Sequence, residues 1–369
     1  MMINHSLRDK LVALGEALID QERARVVVEP QERASGFWFG GGNLVEAPDG
    51  TFYLSGRYRN YGDSRTGLGA GTRGWALVIL ASHDRGKTFE KVVSFAKADL
   101  DLEDKPVLSI EGSALHFTQD GVELFVSSEK DNAFYPPAVR SFQKPNTGIW
   151  SIERLRASSV PGLASAEVEP LLASRDPRFI HVKDPLVYEQ QNGELVLGFC
   201  THPFNWTSSN SGYMVRAADG AEFGEADFEF FRRGFTWDVA ITRMTGVLRV
   251  PQVGAFASKQ PLTLVFYDGG ESMRAYEEHA QAVKRPRGYS CEEIGGLAFA
   301  PEGRLDAIER LSVNLPMFVS PVGTGCSRYV DVLATEEGFY ATWEQSQEDR
   351  SQPLVMNFLS REEVESILT

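Results

Sequence analysis

The sequence has few cysteines and no long apolar run, and both facts narrow the class of protein. Its 369 residues include three cysteines, Cys200, Cys291 and Cys326, which lie far apart and form no CxxC pair. An odd number of dispersed cysteines argues against a zinc site and is typical of reduced thiols. No stretch of about 18 apolar residues is present, so we expect no membrane-spanning helix.

The sequence also lacks basic runs and an apolar leader. Residues 1–30 contain Arg8 and Asp9 where a signal peptide needs an apolar segment. We therefore expect a cytoplasmic protein. The formal net charge is −14, and an acidic chain repels phosphate backbones, so nucleic acid is not an expected partner. Nothing in the sequence indicates an oligomeric state.

A repeated hairpin is the strongest pattern that is present. An apolar strand, a turn containing glycine and a second apolar strand recur as NLVEAPDGTFYLSGR, SALHFTQDGVELFVSS, PLVYEQQNGELVLGFC and VDVLATEEGFYATWEQ. The turn glycines Gly50, Gly121 and Gly193 are 71 and 72 residues apart, whereas Gly193 and Gly338 are 145 apart. A fifth, degenerate copy is therefore expected near residue 262.

This period predicts the fold. Strand-like segments follow each hairpin, and four strands in about 70 residues describe one blade of a β-propeller. We predict an all-β protein, a five-bladed β-propeller formed as a single domain by residues 1–369. A pair of β-sandwiches is the alternative, but it would not require five phrases of near-constant period.

Short helices are expected at both ends of the chain. Leucines at helical spacing, from Leu7 to Leu18, predict an amphipathic helix over residues 6–21. Residues 360–368 begin with a capping-box pattern, Ser360 followed by Glu363, and predict a second helix. Both are expected to pack on the outside of the propeller.

Residues 82–89, SHDRGKTF, match the pattern S-x-D-x-G-x-T-F. They resemble the Asp-box of sialidases and related propellers. Ser82 and Asp84 would accept hydrogen bonds in a tight turn, Gly86 would supply a permissive φ, and Phe89 would anchor the hairpin in the core. The resemblance implies a structural role on outer strands.

Two other stretches, 110–113 and 182–187, open the second and third repeats. They resemble the blade-opening acids of the five-bladed glycoside hydrolases of families 43, 32, 62, 117 and 130, in which acids at the start of the innermost strand point into an axial pocket. The resemblance implies that Glu111 and Asp184 are catalytic. The first repeat departs from it, because residues 39–43 (FGGGN) contain no acid, and Asp63 is a candidate replacement.

Residues at equivalent positions of the repeats are expected to converge on the axis. Two carboxylates among arginines and aromatic rings suit a sugar-cleaving pocket, in which one carboxyl keeps its proton and the other stays ionised. The expected catalytic residues are Glu111, Asp184 and Asp238. The expected substrate-binding residues are Asn43, Arg57, Arg59, Asp63, His202, Trp206, Trp237, Arg243, Arg328 and Tyr329.

These residues lead to a functional hypothesis and two alternatives. The first hypothesis is a glycoside hydrolase acting on a small oligosaccharide, which the arginines suggest is anionic. A lyase on uronic-acid sugars is the second, with a base among His181, His202, Tyr58 and Tyr329. A non-catalytic sugar-binding propeller is the third, and the missing first-blade acid supports it. We expect no cofactor; axial carbonyls and carboxylates suit calcium, but no ligand spacing indicates a metal site.

Overall fold

The computed structural model describes residues 3–60, 73–203, 208–270 and 293–369. Within these ranges the strands form five antiparallel sheets, which are the blades of a propeller. The predicted five-bladed, all-β fold is confirmed. That residues 1–369 form one domain stays a prediction.

The chain begins with a helix and a strand that belongs to the last blade, and the first two blades follow. The elements are α1 (His5–Leu18) and β1 (Arg25–Val28); blade 1, β2 (Trp38–Gly40), β3 (Leu44–Glu46), β4 (Phe52–Arg59), β5 (Gly74–Ser82) and β6 (Glu90–Ala96); and blade 2, β7 (Val107–Thr118), β8 (Gly121–Lys130), β9 (Ile149–Ala157) and β10 (Glu169–Leu172).

The remaining three blades are built in the same way, with the innermost strand first. They are blade 3, β11 (His181–Glu189), β12 (Leu195–His202), β13 (Asn210–Arg216) and β14 (Asp227–Phe231); blade 4, β15 (Ile241–Arg249), β16 (Leu262–Gly270), β17 (Ile294–Pro301) and β18 (Glu309–Arg310); and blade 5, β19 (Ser327–Ala334), β20 (Gly338–Gln345), β21 (Leu354–Ser360) and β1, with α2 (Arg361–Leu368) after it.

Blade 5 joins the two ends of the chain. Strand β1 pairs antiparallel with β21, with Arg25 opposite Met356 and Val26 opposite Val355. The N-terminal strand is therefore the outermost strand of the last blade. This pairing removes the open edge that β21 would otherwise present.

The inner hairpins have the turn chemistry that the repeat predicts. Gly50 has a φ of 83° and Gly193 a φ of 84°. Glycine adopts such left-handed conformations without the steric cost that a Cβ would bring. The degenerate copy expected near residue 262 is the hairpin of β15 and β16 in blade 4, in which a longer connection replaces the short turn.

The turn between β5 and β6 is held by its own side chains. Asp84 accepts hydrogen bonds from the backbone N–H of Thr88 at 2.9 Å and from the hydroxyl of Ser82 at 2.8 Å. Ser82 Oγ in turn accepts from the Gly86 N–H at 2.8 Å, and Phe89 packs against the core of blade 1. The relation of this turn to the Asp-box stays a resemblance.

Both terminal helices pack against blades 4 and 5. The leucines of α1 are buried, together with Leu297 and Trp343, in one apolar cluster. Helix α1 ends at Leu18 rather than at residue 21, because Asp20 Oδ1 accepts the backbone N–H groups of Glu22 and Arg23 and begins a turn there. No described helix is long and apolar enough to cross a membrane.

The packing of α1 gives a stability prediction. Leu11 is fully buried, whereas Glu16 on the same helix is exposed. We expect Leu11→Ala to lower the free energy of unfolding by roughly 2–5 kcal/mol, because it leaves a cavity. Glu16→Ala should change it by less than about 0.5 kcal/mol. Urea denaturation measures both, and equal effects would contradict the packing described.

Candidate functional site

In all five blades the innermost strand begins where the second strand ends, at one face of the propeller. The first residue of each inner strand pairs with the last residue of its neighbour. The pairs are Trp38 with Arg59, Val107 with Lys130, His181 with His202, Ile241 with Gly270, and Ser327 with Gln345. We call this end the site face, because the charged residues of all five blades meet there.

A β-bulge occurs at the same place in four inner strands. The register shifts lie between Ile110 and Ser113, Lys183 and Leu186, Met244 and Gly246, and Arg328 and Asp331. Bulges turn side chains away from the regular pleat. In blade 1 the corresponding position is the break between β2 and β3.

The bulges place Glu111, Asp184 and Tyr329 at equivalent positions of blades 2, 3 and 5. Asp184 and Tyr329 both have a φ of 54°, a conformation that non-glycine residues rarely adopt. Such backbone costs about 1–3 kcal/mol and persists only where the surroundings hold it. Gly112 N–H donates to Asp184 Oδ1 at 3.2 Å, and Asp184 N–H donates to Ser127 Oγ at 3.0 Å.

Charged side chains from the five blades form a closed chain of contacts on the site face, which we call the axial ring. Its seven members alternate mostly between carboxylates and guanidinium groups. In order they are Glu111, Arg57, Glu344, Arg328, Glu293, Arg243 and Asp184, joined at 3.0, 2.9, 2.7, 2.7, 2.7 and 3.2 Å. The Gly112 N–H on Asp184 closes the ring beside Glu111.

Arg243 contacts three carboxylates. It donates to Asp184 Oδ2 at 3.2 Å, to Glu293 Oε2 at 2.7 Å and to Asp268 Oδ2 at 2.7 Å. Asp268 also accepts the backbone N–H of Tyr329 at 3.1 Å. Arg243 therefore ties blade 3 to blade 4, and Asp268 ties blade 4 to the strained backbone of blade 5.

Tyr329 lies among three guanidinium groups of the ring. Its ring centroid is 4.0 Å from Arg243 Cζ, 5.2 Å from Arg57 Cζ and 5.4 Å from Arg328 Cζ. Tyr329 is 7% exposed. Guanidinium groups over an aromatic face are favourable contacts, so this cage fixes the position of Tyr329.

Two side chains of the axial ring, Arg57 and Glu344, pack against the glycines that open blade 1. A Cβ built on Gly41 would lie 2.8 Å from Arg57 Nη1, and one on Gly40 would meet the Glu344 side chain at 2.4 Å. The space that a first-blade acid would need is thus filled by two members of the axial ring. Asn43, which lies between β2 and β3, connects blade 1 to blade 2. Its side-chain amide donates to the carbonyl of Leu115 and accepts the N–H of the same residue.

The two expected catalytic acids of the ring are ionised. Burial raises the pKa of Glu111, but Arg59 and Arg57 outweigh it, so the pKa lies below the usual range. Burial likewise opposes ionisation of Asp184, and Lys183 and Arg243 bring its pKa well below the usual range. Neither carboxyl therefore holds a proton near neutral pH, as a general acid must.

Asp268 behaves differently. Burial, with a further contribution from the charge of Glu293, raises its pKa to about 7 despite the contact with Arg243. The charge of Arg243 is shared with two other carboxylates, which leaves less of it to stabilise ionised Asp268. Asp268 is fully buried and so acts on the site through Arg243 and Tyr329.

Seven residues expected from the sequence come together in or beside the axial ring: Glu111, Asp184, Arg57, Arg59, Arg243, Arg328 and Tyr329. Arg59 joins through an ion pair with Glu111. His202 reaches Asp184 through Cys200. Its Nε2 is 3.7 Å from Cys200 Sγ, which in turn is 3.3 Å from Asp184 Oδ2. Asp63 and Trp206 lie outside the described residues.

Four other expected residues have structural partners. Asp238 accepts from Arg310 Nε of the outermost strand of blade 4 at 2.7 Å. Trp237 donates its indole N–H to the Ser312 carbonyl. His181 contacts the hydroxyl of Tyr135 at 2.8 Å and accepts the Trp150 N–H, and burial lowers its pKa to about 3.

Tyr58, the fourth of these residues, lies between two other aromatic rings of blade 1. Its ring centroid is 4.7 Å from that of Phe39 and 5.8 Å from that of Trp75. Burial raises its pKa, which does not favour a base near neutral pH.

Five residues of the site were not expected from the sequence: Trp38, Lys183, Asp268, Glu293 and Glu344. Lys183 Nζ is 3.4 Å from Asp184 Oδ2. Asp268 and Glu344 lie at the ends of second strands, opposite Arg243 and Arg328. Extending the hairpin register from each turn to the site face would have found these two.

A cavity of about 20 Å³ adjoins the ring, lined among others by Asp184, Tyr329, Gly112 and Thr245. This volume suits one water molecule and is too small for a sugar. A larger ligand would contact the ring at its least buried side chains, Arg328 and Glu293, which are 12% and 9% exposed. Among residues 3–60, 73–203, 208–270 and 293–369, no group of three or more His, Cys, Asp or Glu is placed to hold a metal ion.

Solved structures of glycoside hydrolases share this fold. A thermostable family-43 glycoside hydrolase is 12% identical, with a TM-score of 0.54 over 89% of this chain and 91% of that one. An α-L-arabinofuranosidase from Lactobacillus brevis is 9% identical, with a TM-score of 0.56 over 90% and 91%. The RS223 β-xylosidase is 9% identical, with a TM-score of 0.57 over 92% and 95%. At these identities the likeness shows the fold alone.

Comparison by sequence gives no further relation. No family model matches the chain. No curated protein matches it either.

The raised pKa of Asp268 gives a pH prediction. Between the ordinary aspartate pKa of about 4 and the folded value of about 7, the folded protein binds more protons than the unfolded chain, so this group lowers stability as pH rises. Asp268→Asn removes that loss. We expect the variant's stability relative to wild type to rise by roughly 2–4 kcal/mol between pH 4 and pH 8.

Urea unfolding at a series of pH values measures this difference. The change of this difference with pH does not depend on any constant cost of the substitution. It does not depend on Asp331 either, because burial raises the pKa of Asp331 to about 6 in both proteins. Parallel pH profiles for the two proteins would show that Asp268 is ionised throughout this range.

Proposed function

We propose that the protein is a glycoside hydrolase that acts on a small oligosaccharide at the axial ring. The observation that carries the proposal is an ionised carboxylate, Asp184, beside a cavity of the volume of one water molecule. The carboxylate is unprotonated near neutral pH, so it can accept a hydrogen bond from that water and orient it. The fold is also one on which solved glycoside hydrolases are built.

Asp184 is the proposed base. Its Oδ2 accepts from Arg243 and its Oδ1 from the Gly112 N–H, and these contacts fix the carboxylate on the cavity wall. Glu111, held by Arg57 and Arg59, supplies a second negative charge nearby. Two carboxylates stabilise the positive charge that develops on the sugar ring in glycoside hydrolysis.

Tyr329 is the proposed proton donor. Burial raises the pKa of its hydroxyl well above the usual range, so the group keeps its proton near neutral pH. The guanidinium groups of Arg57, Arg243 and Arg328 surround its ring. The charges of Arg243 and Arg57 act against this rise in pKa, and they would reduce the cost of the phenolate that remains after proton transfer to the leaving oxygen.

The number of arginines does not by itself indicate an anionic sugar. Arg57 is neutralised by Glu111 and Glu344, and Arg243 by Asp184, Asp268 and Glu293. Asp238 has no part in the proposed mechanism, because its partner is Arg310.

We expect Asp184→Asn and Tyr329→Phe each to lower kcat by roughly 10²–10⁴-fold, the usual contribution of one acid or base group. Asp331→Asn is the matched control. This substitution also replaces an aspartate of an inner strand, but Asp331 is only partly buried, accepts the backbone N–H of Leu44 and lies outside the axial ring. Release of aglycone from a panel of aryl glycosides measures turnover, and thermal melting confirms folding. Turnover equal to wild type in Asp184→Asn would rule out the assignment of the base.

A lyase on uronic-acid sugars is the second candidate, favoured by one observation. Tyr329, a proton carrier, lies beside Arg328, whose Nη2 has no acceptor among the described residues and would contact a sugar carboxylate. A lyase forms an unsaturated product without adding water. Ultraviolet absorbance recorded during incubation with uronic-acid oligosaccharides separates the two activities, since a hydrolase produces reducing ends without new absorbance.

A further inference from the structure

Two hydrogen-bond donors at the edge of the axial ring have no acceptor among the described residues. They are the indole N–H at Nε1 of Trp38 and Nη2 of Arg328. The other two nitrogens of Arg328 are used, since Nε donates to Glu344 and Nη1 to Glu293, each at 2.7 Å. A buried donor without an acceptor costs free energy, so this pair requires an explanation.

The two donors are neighbours. The guanidinium carbon of Arg328 lies 5.1 Å from the centroid of the Trp38 ring, and that of Arg59 lies 5.3 Å from the same ring. Trp38 begins the first strand of blade 1 on the site face, and it joins blade 5 through a bridge with Gln352. The donors therefore lie where blades 1 and 5 meet, beside the caged Tyr329.

The chemistry of the donors limits the ligand. An indole N–H and a guanidinium nitrogen only donate, so the group they bind must accept at least two hydrogen bonds. A carboxylate is acceptor-only, has two oxygens and gains charge-assisted bonds from arginine. A neutral sugar hydroxyl offers one oxygen rather than two, and it gives Arg328 a weaker hydrogen bond than a carboxylate does.

We propose that Trp38 Nε1 and Arg328 Nη2 bind the carboxylate of an acidic sugar, a hexuronate, and so set the substrate class of the site. The proposal rests on the proposed function for its location, because the two donors adjoin Tyr329 on the site face. The balance of charge permits it. Five cations (Arg57, Arg59, Lys183, Arg243 and Arg328) surround five carboxylates (Glu111, Asp184, Asp268, Glu293 and Glu344), and Asp268 with a pKa of about 7 is partly neutral. These ten charges sum to about zero, with a small positive excess where Asp268 is protonated, so they do not oppose a negatively charged ligand.

Binding of monosaccharides tests the proposal without turnover. Isothermal titration calorimetry compares glucuronate and galacturonate with glucose and galactose at the same concentrations. We expect at least one hexuronate to bind about tenfold or more tightly than its neutral counterpart, since a charged hydrogen bond of this kind corresponds to about that factor. Equal affinity for acidic and neutral sugars, or no hexuronate binding at tens of millimolar, would overturn the assignment.

Two variants locate the carboxylate. Trp38→Phe keeps the aromatic ring between the two guanidinium groups and removes only the N–H. Arg328→Lys keeps the charge but removes the guanidinium group, and with it both Nη2 and the contacts of Nε and Nη1 with Glu344 and Glu293. We expect each to weaken hexuronate binding about tenfold, and so to reduce the preference of the site for hexuronate over the neutral sugar. Trp75→Phe is the matched control, because Trp75 belongs to the same blade but stacks on Tyr58. An unaltered preference for hexuronate in Trp38→Phe, with folding confirmed by thermal melting, would show that the carboxylate binds elsewhere.

The outcomes separate this proposal from the proposed function. Hexuronate binding that depends on Trp38, without hydrolysis of any hexuronide, would remove the hydrolase and keep the carboxylate site. Hydrolysis of neutral glycosides alone would keep the hydrolase and remove the carboxylate site.

Discussion

The guanidinium group of Arg243 is the contact on which the arrangement of the site depends. It holds Asp184 of blade 3 together with Asp268 and Glu293 of blade 4. Asp268 in turn holds the backbone of Tyr329 in blade 5. Hydrogen bonds and charged contacts thus surround the unusual backbone of Asp184 and Tyr329.

The axial ring joins all five blades through charged contacts of the same kind. Burying so many charges is expensive, because each loses its hydration, and the attraction between buried partners often only balances that loss. The ring is therefore a weak argument for stability and a better one for a binding or catalytic site. The apolar clusters, such as the one that joins α1 to blades 4 and 5, supply the stability.

Much of the fold could be predicted from the sequence, because the repeat and the turn glycines Gly50, Gly121 and Gly193 are local signals. Glu111, Asp184 and Arg243 were found in the same way, from their place at the start of inner strands. Asp268 and Glu344 were missed because their position depends on how far each hairpin register extends from its turn. The low pKa of Asp184 depends on Lys183 and Arg243 after folding, and no sequence pattern shows it.

Where the first blade has no acid, Arg57 and Glu344 fill the space beside Gly41 and Gly40. The central claim is that the axial ring is the ligand site. The structure of a crystal of the protein soaked with a hexuronate tests it most directly. The account predicts a sugar over Tyr329, with its carboxylate within hydrogen-bond distance of Trp38 Nε1 and Arg328 Nη2. A sugar bound at another surface, with the site face empty, would contradict it.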